Sequence, residues 1–198
     1  MKKSFNFKVP SFKNNNGITL VEIIVTIFII LMFSAIIMSD FPKIRRQFSL
    51  SAATHRLAQD LRRAQDMALS GTQLVDEAGQ PILAKGFGIY INLSSLNGNN
   101  KQYILYGDKD GDEQYDSSAD YTVDVIDMDK ETKNIIIQGI YNTLLDSCSI
   151  NFSPPNPKTS ISNLQSGVNR VKIVLAEEVN SAITREVYVY TSGLIETK

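Results

Sequence analysis

A lone carboxylate at the mouth of a long apolar run constrains this chain more than any other feature. Glu22 is followed by Ile23 to Met38, a stretch with no charged residue. Ahead of it stand Lys2, Lys3, Lys8 and Lys13, with no acidic residue among them. Ile18 to Ser39 is 22 residues, which as a helix rises about 33 Å, enough to cross a hydrocarbon core of roughly 30 Å. An acidic side chain costs about 2.5–3.5 kcal/mol at mid-bilayer. A Glu retained there points to a function for it.

Lysines before the run and Asp40 just after it predict an N-terminus in the cytoplasm and the remainder outside. Two ordinary readings compete. A secretory signal peptide would have an apolar core of about 7–15 residues ending in a small-x-small site; this run is longer, and Phe33-Ser34-Ala35 fits that site poorly. A plain signal anchor accounts for the run but leaves Glu22, and the Gly17 before Ile18, without a reason.

The junction Gly17-Ile18-Thr19-Leu20-Val21-Glu22, behind a basic leader and ahead of the apolar run, resembles that of type IV prepilins over the first 40 or so residues. The family most often has Phe where this chain has Ile18. The resemblance implies cleavage by prepilin peptidase between Gly17 and Ile18, N-methylation of Ile18, and pairing of Glu22 with the terminal amine of a neighbouring subunit during filament assembly. Implied partners are other pilin or pseudopilin subunits, the peptidase, an inner-membrane assembly platform and the lipid bilayer. The implied location is a single pass through the inner membrane, then a filament or pseudopilus.

Beyond the membrane run, Pro42 is expected to kink the helix, since it has no N–H and its ring clashes with the preceding turn. Leu50, Ala53, Leu57, Leu61, Ala64 and Ala68 then recur at steps of three and four, an amphipathic stripe. Arg56, Gln59, Asp60, Arg62, Arg63 and Asp66 are expected on the other face, with His55 at the surface. Ser70-Gly71 ends the helix. From Ile18 to Ser70 it would measure about 80 Å.

After Gly71 the period changes to two. Strands are expected at 86–92, 102–106, 121–127, 134–138, 149–153, 170–176 and 184–190, with a last short one at Leu194-Ile195. Asn97-Gly98-Asn99-Asn100 reads as a hairpin turn and Ser153 to Pro157 as a loop. Gly86-Phe87-Gly88 lies inside a strand pattern with no helix after it, so it is not a phosphate loop. The expected fold is α+β and pilin-like: a long N-terminal helix, half membrane and half amphipathic, packed on a C-terminal antiparallel sheet domain. The expected divisions are leader 1–17, membrane or filament-core helix 18–41, amphipathic half 42–70 and extracytoplasmic domain 71–198. A second, weaker resemblance is to H-type minor pseudopilins of the GspH/FimT group. It is carried by Leu57 to Ala68 with Arg62-Arg63-Ala64, by the Tyr106 to Asp112 insertion, and by the closing Arg185 to Ile195 hairpin.

One stretch has ligand character. Asp108, Asp110 and Asp112 alternate, and with Asp116 they would make an oxygen cage for calcium. Against an EF-hand loop the match fails at position six, which is Glu113, and at position twelve, which is Ala119, while Asp120 comes one step late. The competing reading is an acidic turn, because Asp and Gly turn well.

Little else suggests chemistry. Cys148 is the sole cysteine, so no intramolecular disulfide forms, and it shares a strand face with Ile150 and Phe152 as a buried thiol would. His55 has no Cys or second His as co-ligand. The formal charge of −1 becomes −5 once the four leader lysines are cut away, which argues against a nucleic-acid footprint. Tyr103, Tyr106, Tyr115, Tyr121 and Tyr188 offer rings for stacking on single strands, but tyrosines in strands more often pack a sheet. Two function classes are therefore carried forward: a filament subunit that is an enzyme's substrate rather than an enzyme, and a membrane-anchored binding module that never polymerises.

Overall fold

The computed structural model describes residues 17–75, 79–94, 99–132, 134–154 and 158–198, the side chains of Ser39, Asp40 and Glu131 excepted. The leader lysines, the Asn97-Gly98 turn and residues 155–157 of the proline loop lie outside the described residues. Two compact units are present, residues 1–43 and 44–198. One helix, α1 (Leu20–Ser70), supplies residues to both and has Pro42 within it.

In the first unit every described side chain from Ile18 to Met38 is exposed. The hydroxyls of this stretch turn inward on the helix backbone: Thr26 Oγ1 donates to the Ile23 carbonyl at 2.8 Å and Ser34 Oγ to the Ile30 carbonyl at 2.8 Å. Neither then needs water, which suits a helix surrounded by lipid. By length and composition α1 can cross a membrane.

In the second unit Leu50, Ala53, Leu57, Ala58, Leu61, Ala64 and Ala68 of α1 enter a single hydrophobic core with side chains from two antiparallel sheets. After the helix come β1 (Gln73–Val75) and β2 (Pro81–Leu83), a two-stranded pair. Next are β3 (Gly86–Asn92), β4 (Gln102–Asp108), β5 (Tyr121–Asp127) and a single helical turn, α2 (Met128–Glu131). The remainder is β6 (Ile135–Tyr141), β7 (Ser147–Ser153), β8 (Lys158–Ile161), β9 (Arg170–Glu177), β10 (Thr184–Tyr190) and β11 (Ile195–Thr197). The larger sheet has the order β5-β4-β3-β7-β8 and the smaller β11-β10-β9-β6.

Alternation sets the register. Val187 and Val189 of β10 lie opposite Ile173 and Val171 of β9, all four fully buried. Phe87, Ile89 and Ile91 of β3 lie opposite Phe152, Ile150 and Cys148 of β7, and these also enter the core. A one-residue slip would turn either set out to water. Gly88 has a steric reason to be glycine: a Cβ there would sit 2.5 Å from the Ile150 carbonyl oxygen and 2.7 Å from the Tyr106 ring.

The α+β arrangement expected from the sequence is the one observed, with three local corrections. Asp60 is not on the solvent face. It is 4 % exposed, accepts a 2.7 Å hydrogen bond from the Tyr103 hydroxyl and takes Arg56 Nε at 3.0 Å. Asp60 stands three residues after Leu57 and four before Ala64, so spacing puts it on the stripe, and its partners offset the cost of burying a carboxylate. Second, β1, β2 and β8 are strands of three or four residues with too little alternation to read. Third, β4, β6 and β7 run two or three residues beyond their expected limits, β6 past a register shift between Ile137 and Gly139.

Leu61 is fully buried, whereas Leu69 on the same helix is 49 % exposed. In denaturant melts of the full chain in detergent, Leu61→Ala should cost about 2–5 kcal/mol and Leu69→Ala less than about 1 kcal/mol. Equal costs would contradict the packing of α1 on the sheets.

Candidate functional site

Two places on the chain hold the candidate residues. At the first, α1 starts two residues past Ile18. Thr19 is its N-cap: Oγ1 accepts the Glu22 N–H at 3.3 Å and the Thr19 carbonyl accepts the Ile23 N–H at 3.2 Å. Thr-x-x-Glu is half of a capping box, and a carboxylate in the first turn complements the helix dipole. The Glu22 side chain itself is exposed and makes no hydrogen bond or ion pair among the described residues. Gly17, where the resemblance expects cleavage, and Ile18 are exposed and lie ahead of the helix. The order along the chain is thus an accessible junction, a cap, and a carboxylate, without a partner among the described residues, one turn into a bare apolar helix.

The second place is the segment between β4 and β5. Asp108 closes β4 and is 1 % exposed. Its Oδ1 accepts the Gly111 N–H at 2.6 Å, and its Oδ2 accepts the Glu113 N–H at 3.1 Å and Asn151 Nδ2 at 3.1 Å. Asn151, on β7, also donates to the Tyr106 hydroxyl at 3.3 Å. Burial pushes the Asp108 carboxyl up from its ordinary value, the Gly111 and Glu113 N–H groups pull it back, and the charges of Asp120 and Asp110 push it up further.

Beyond Asp108 the loop is a succession of side-chain-to-backbone turns. Asp110 accepts the Asp112 N–H, Asp112 the Gln114 N–H, and Asp116 both the N–H and the hydroxyl of Ser118. Those two Ser118 bonds hold the Asp116 carboxyl below the usual range. Glu113, where an EF-hand has Gly, takes φ = 66°, the left-handed conformation a Gly would supply. Its carboxylate is fixed by Lys158 at 2.7 Å, which lowers its pKa.

Carboxylate oxygens of Asp108, Asp110 and Asp120 lie within 4.8 Å of one another, so these are the side chains that could hold a hard cation. Asp120 closes the loop by accepting the N–H groups of Lys109 and Asp116 at 3.0 and 2.9 Å. Of the four expected ligands the fold therefore brings together Asp108 and Asp110. Asp112 and Asp116 are not in that group, and Asp120 and the supporting Asn151 were not among the expected ligands. The late Asp120 was visible in the sequence, but nothing local marked Asn151, which reaches the loop across the sheet.

Residues 12–38 match the family described as the prokaryotic N-terminal methylation motif. The motif is that of a type IV prepilin-like protein. No curated protein and no solved structure matches the chain. The match spans the leader end, Gly17, Ile18 and Glu22, and indicates a pilin-like prepilin processed by prepilin peptidase. In this prepilin-like chain Cys148 is buried, and burial pushes its thiol up to about 12, so a thiolate is disfavoured. Tyr103 and Tyr106 are 1 % and 0 % exposed and present no ring to a base. Tyr188 is covered by Arg170 and Lys198 at 4.9 and 5.3 Å. Tyr115 and Tyr121, the other two rings named from the sequence, are half-buried.

With the carboxylates of Asp108 and Asp120 already accepting protein N–H groups, calcium has little to repair. Thermal melting of the full chain in detergent at millimolar calcium should match melting with chelator and with magnesium. A calcium-specific rise that disappears in Asp108→Asn/Asp110→Asn would instead assign the cluster to the metal.

Proposed function

We propose that this chain is a subunit of a filament built from pilin-like proteins, a minor pilin or pseudopilin of the H-type GspH/FimT kind. It is cut between Gly17 and Ile18, methylated at Ile18, and then assembles into, or primes, a type IV pilus or a type II secretion pseudopilus. The methylation motif over residues 12–38 is the observation that carries this reading. Glu22, at the start of an exposed apolar helix and without a partner among the described residues, supports it.

The chemistry is charge neutralisation in a medium of low dielectric. A carboxylate buried among apolar helices must be protonated or partnered, and a lone buried charge costs several kcal/mol. Cleavage creates an amine on Ile18, four residues from Glu22 in the chain. The amine of one subunit set against Glu22 of the next satisfies both charges and fixes the axial register between neighbours. The protein then acts as a substrate of peptidase and methylase and as a structural partner, not as an enzyme. Its sheet unit lies outside the cytoplasmic membrane.

The competing reading, an anchored binding module that never polymerises, has no use for Glu22. Full-length Glu22→Ala should still fractionate with the membrane, keep its sheet unit folded, and be absent from sheared filaments or pseudopili. Incorporation at the wild-type level would favour the anchored module.

A further inference from the structure

Within residues 44–198 a cavity of about 230 Å³ opens between α1 and the edge of the smaller sheet, lined by Ser51, Thr54, His55, Arg185, Thr197 and Lys198. Arg185 and Thr197 lie on the face of β10 and β11 that carries buried Val187, since Val187 pairs with Thr197 and Arg185 is two residues away. That alternation turns both toward the helix. Ser51, Thr54 and His55 meet them from a single turn of α1.

No carboxylate side chain lines this cavity. Glu186, next in sequence, is on the opposite strand face, where Lys172 and the Tyr188 hydroxyl bind it. Lys198 lines the cavity, but its Nζ stands over the Tyr188 ring on that opposite face, so the exposed guanidinium of Arg185 is the cavity's fixed positive charge, with no acidic side chain beside it. Arg185 also differs from other arginines of this unit. Arg46 pairs with Glu177, Arg56 with Asp60 and Arg63 with Asp124, and Arg62 and Arg170 donate to the Ile195 carbonyl and the Tyr190 hydroxyl, whereas the Arg185 side chain makes no ion pair or hydrogen bond among the described residues. Thr54 gives its hydroxyl hydrogen to the Leu50 carbonyl and can only accept, but the hydroxyls of Ser51 and Thr197 make no hydrogen bond among the described residues and are available as donors.

The donor set fits an oxyanion. A guanidinium presents paired N–H groups in a planar fork that matches phosphate geometry, and two hydroxyls can complete the shell. The size agrees, because drug-sized ligands occupy about 300–1,000 Å³ and this cavity is smaller. We propose that it binds a phosphate group, with Arg185 as the principal ligand and Ser51 and Thr197 as hydroxyl donors. The group can be inorganic phosphate or the phosphate of an anionic lipid headgroup. This site does not depend on filament assembly.

The test uses the full chain in maltoside micelles, which carry no phosphate of their own. One arm titrates inorganic phosphate by calorimetry, with acetate as the control anion. The other follows melting as phosphatidylglycerol is added to the micelles. Saturable binding at one phosphate per chain, or a saturable rise in melting with phosphatidylglycerol, supports the site, and the arm that responds names the source. Arg185→Gln should weaken the response by about tenfold or more, and Ser51→Ala by less. Arg63→Gln, which removes an arginine elsewhere on the same helix, should leave it unchanged. Circular dichroism checks that each variant is folded. The proposal is overturned if neither arm responds, if Arg185→Gln responds as the wild type does, or if acetate binds as well as phosphate.

Discussion

The transfer of bare apolar side chains out of water is the constraint on which the N-terminal unit depends. From Leu20 to Met38 the helix exposes every side chain, most of them Ile, Leu, Val, Phe or Met. Each large apolar side chain gains roughly 1.5–3 kcal/mol when fully buried, so the run as a whole outweighs the cost of a single acid by an order of magnitude. A carboxylate at the bilayer centre costs about 2.5–3.5 kcal/mol. Glu22 therefore cannot keep this helix out of lipid. In the proposed reading it sets what the helix does there, because a modest penalty inside a strongly favourable transfer is relieved by one well-placed cation.

The same helix solves a different problem further on. Past residue 44 its apolar residues narrow to a stripe, and that stripe is covered by both sheets. Polar contacts pin the arrangement where packing alone would allow sliding. Tyr103 of β4 reaches Asp60, Arg63 meets Asp124 of β5 at 3.8 Å, and Gln65 donates to the Gly193 carbonyl at 3.4 Å. The Asp60 contact is the consequential one, since a buried carboxylate is stable only with its donors in place.

Most of this fold was legible because its signals are periodic. Three- and four-residue spacing located the helix, and period-two alternation located seven strands. What escaped was aperiodic or non-local. Asp60 has the right spacing for the core and the wrong polarity, and its partner Tyr103 is 43 residues away in sequence. In β8, Lys158-Thr159-Ser160-Ile161 offers only a polar pattern, and its pairing with β7 makes it a strand. The acidic loop was recognised as a turn or cation site, yet which carboxylates converge depends on how the loop closes. Asp120 closes it through backbone N–H groups, and Asp112 and Asp116 bond to the residues just after them. The junction Gly17 to Glu22 needed no tertiary information, because recognition by a peptidase and insertion into lipid both act on local sequence.

The account rests on the claim that the mature protein begins at Ile18. Mass spectrometry of the N-terminal peptide from chain purified out of membranes of the native cell measures this directly. The expected result is a peptide starting at Ile18 with one added methyl on its amine, and a precursor starting at Met1 in cells lacking the prepilin peptidase. A membrane-extracted chain that starts at Met1 in peptidase-bearing cells, or is cut elsewhere in the apolar run, would contradict the account.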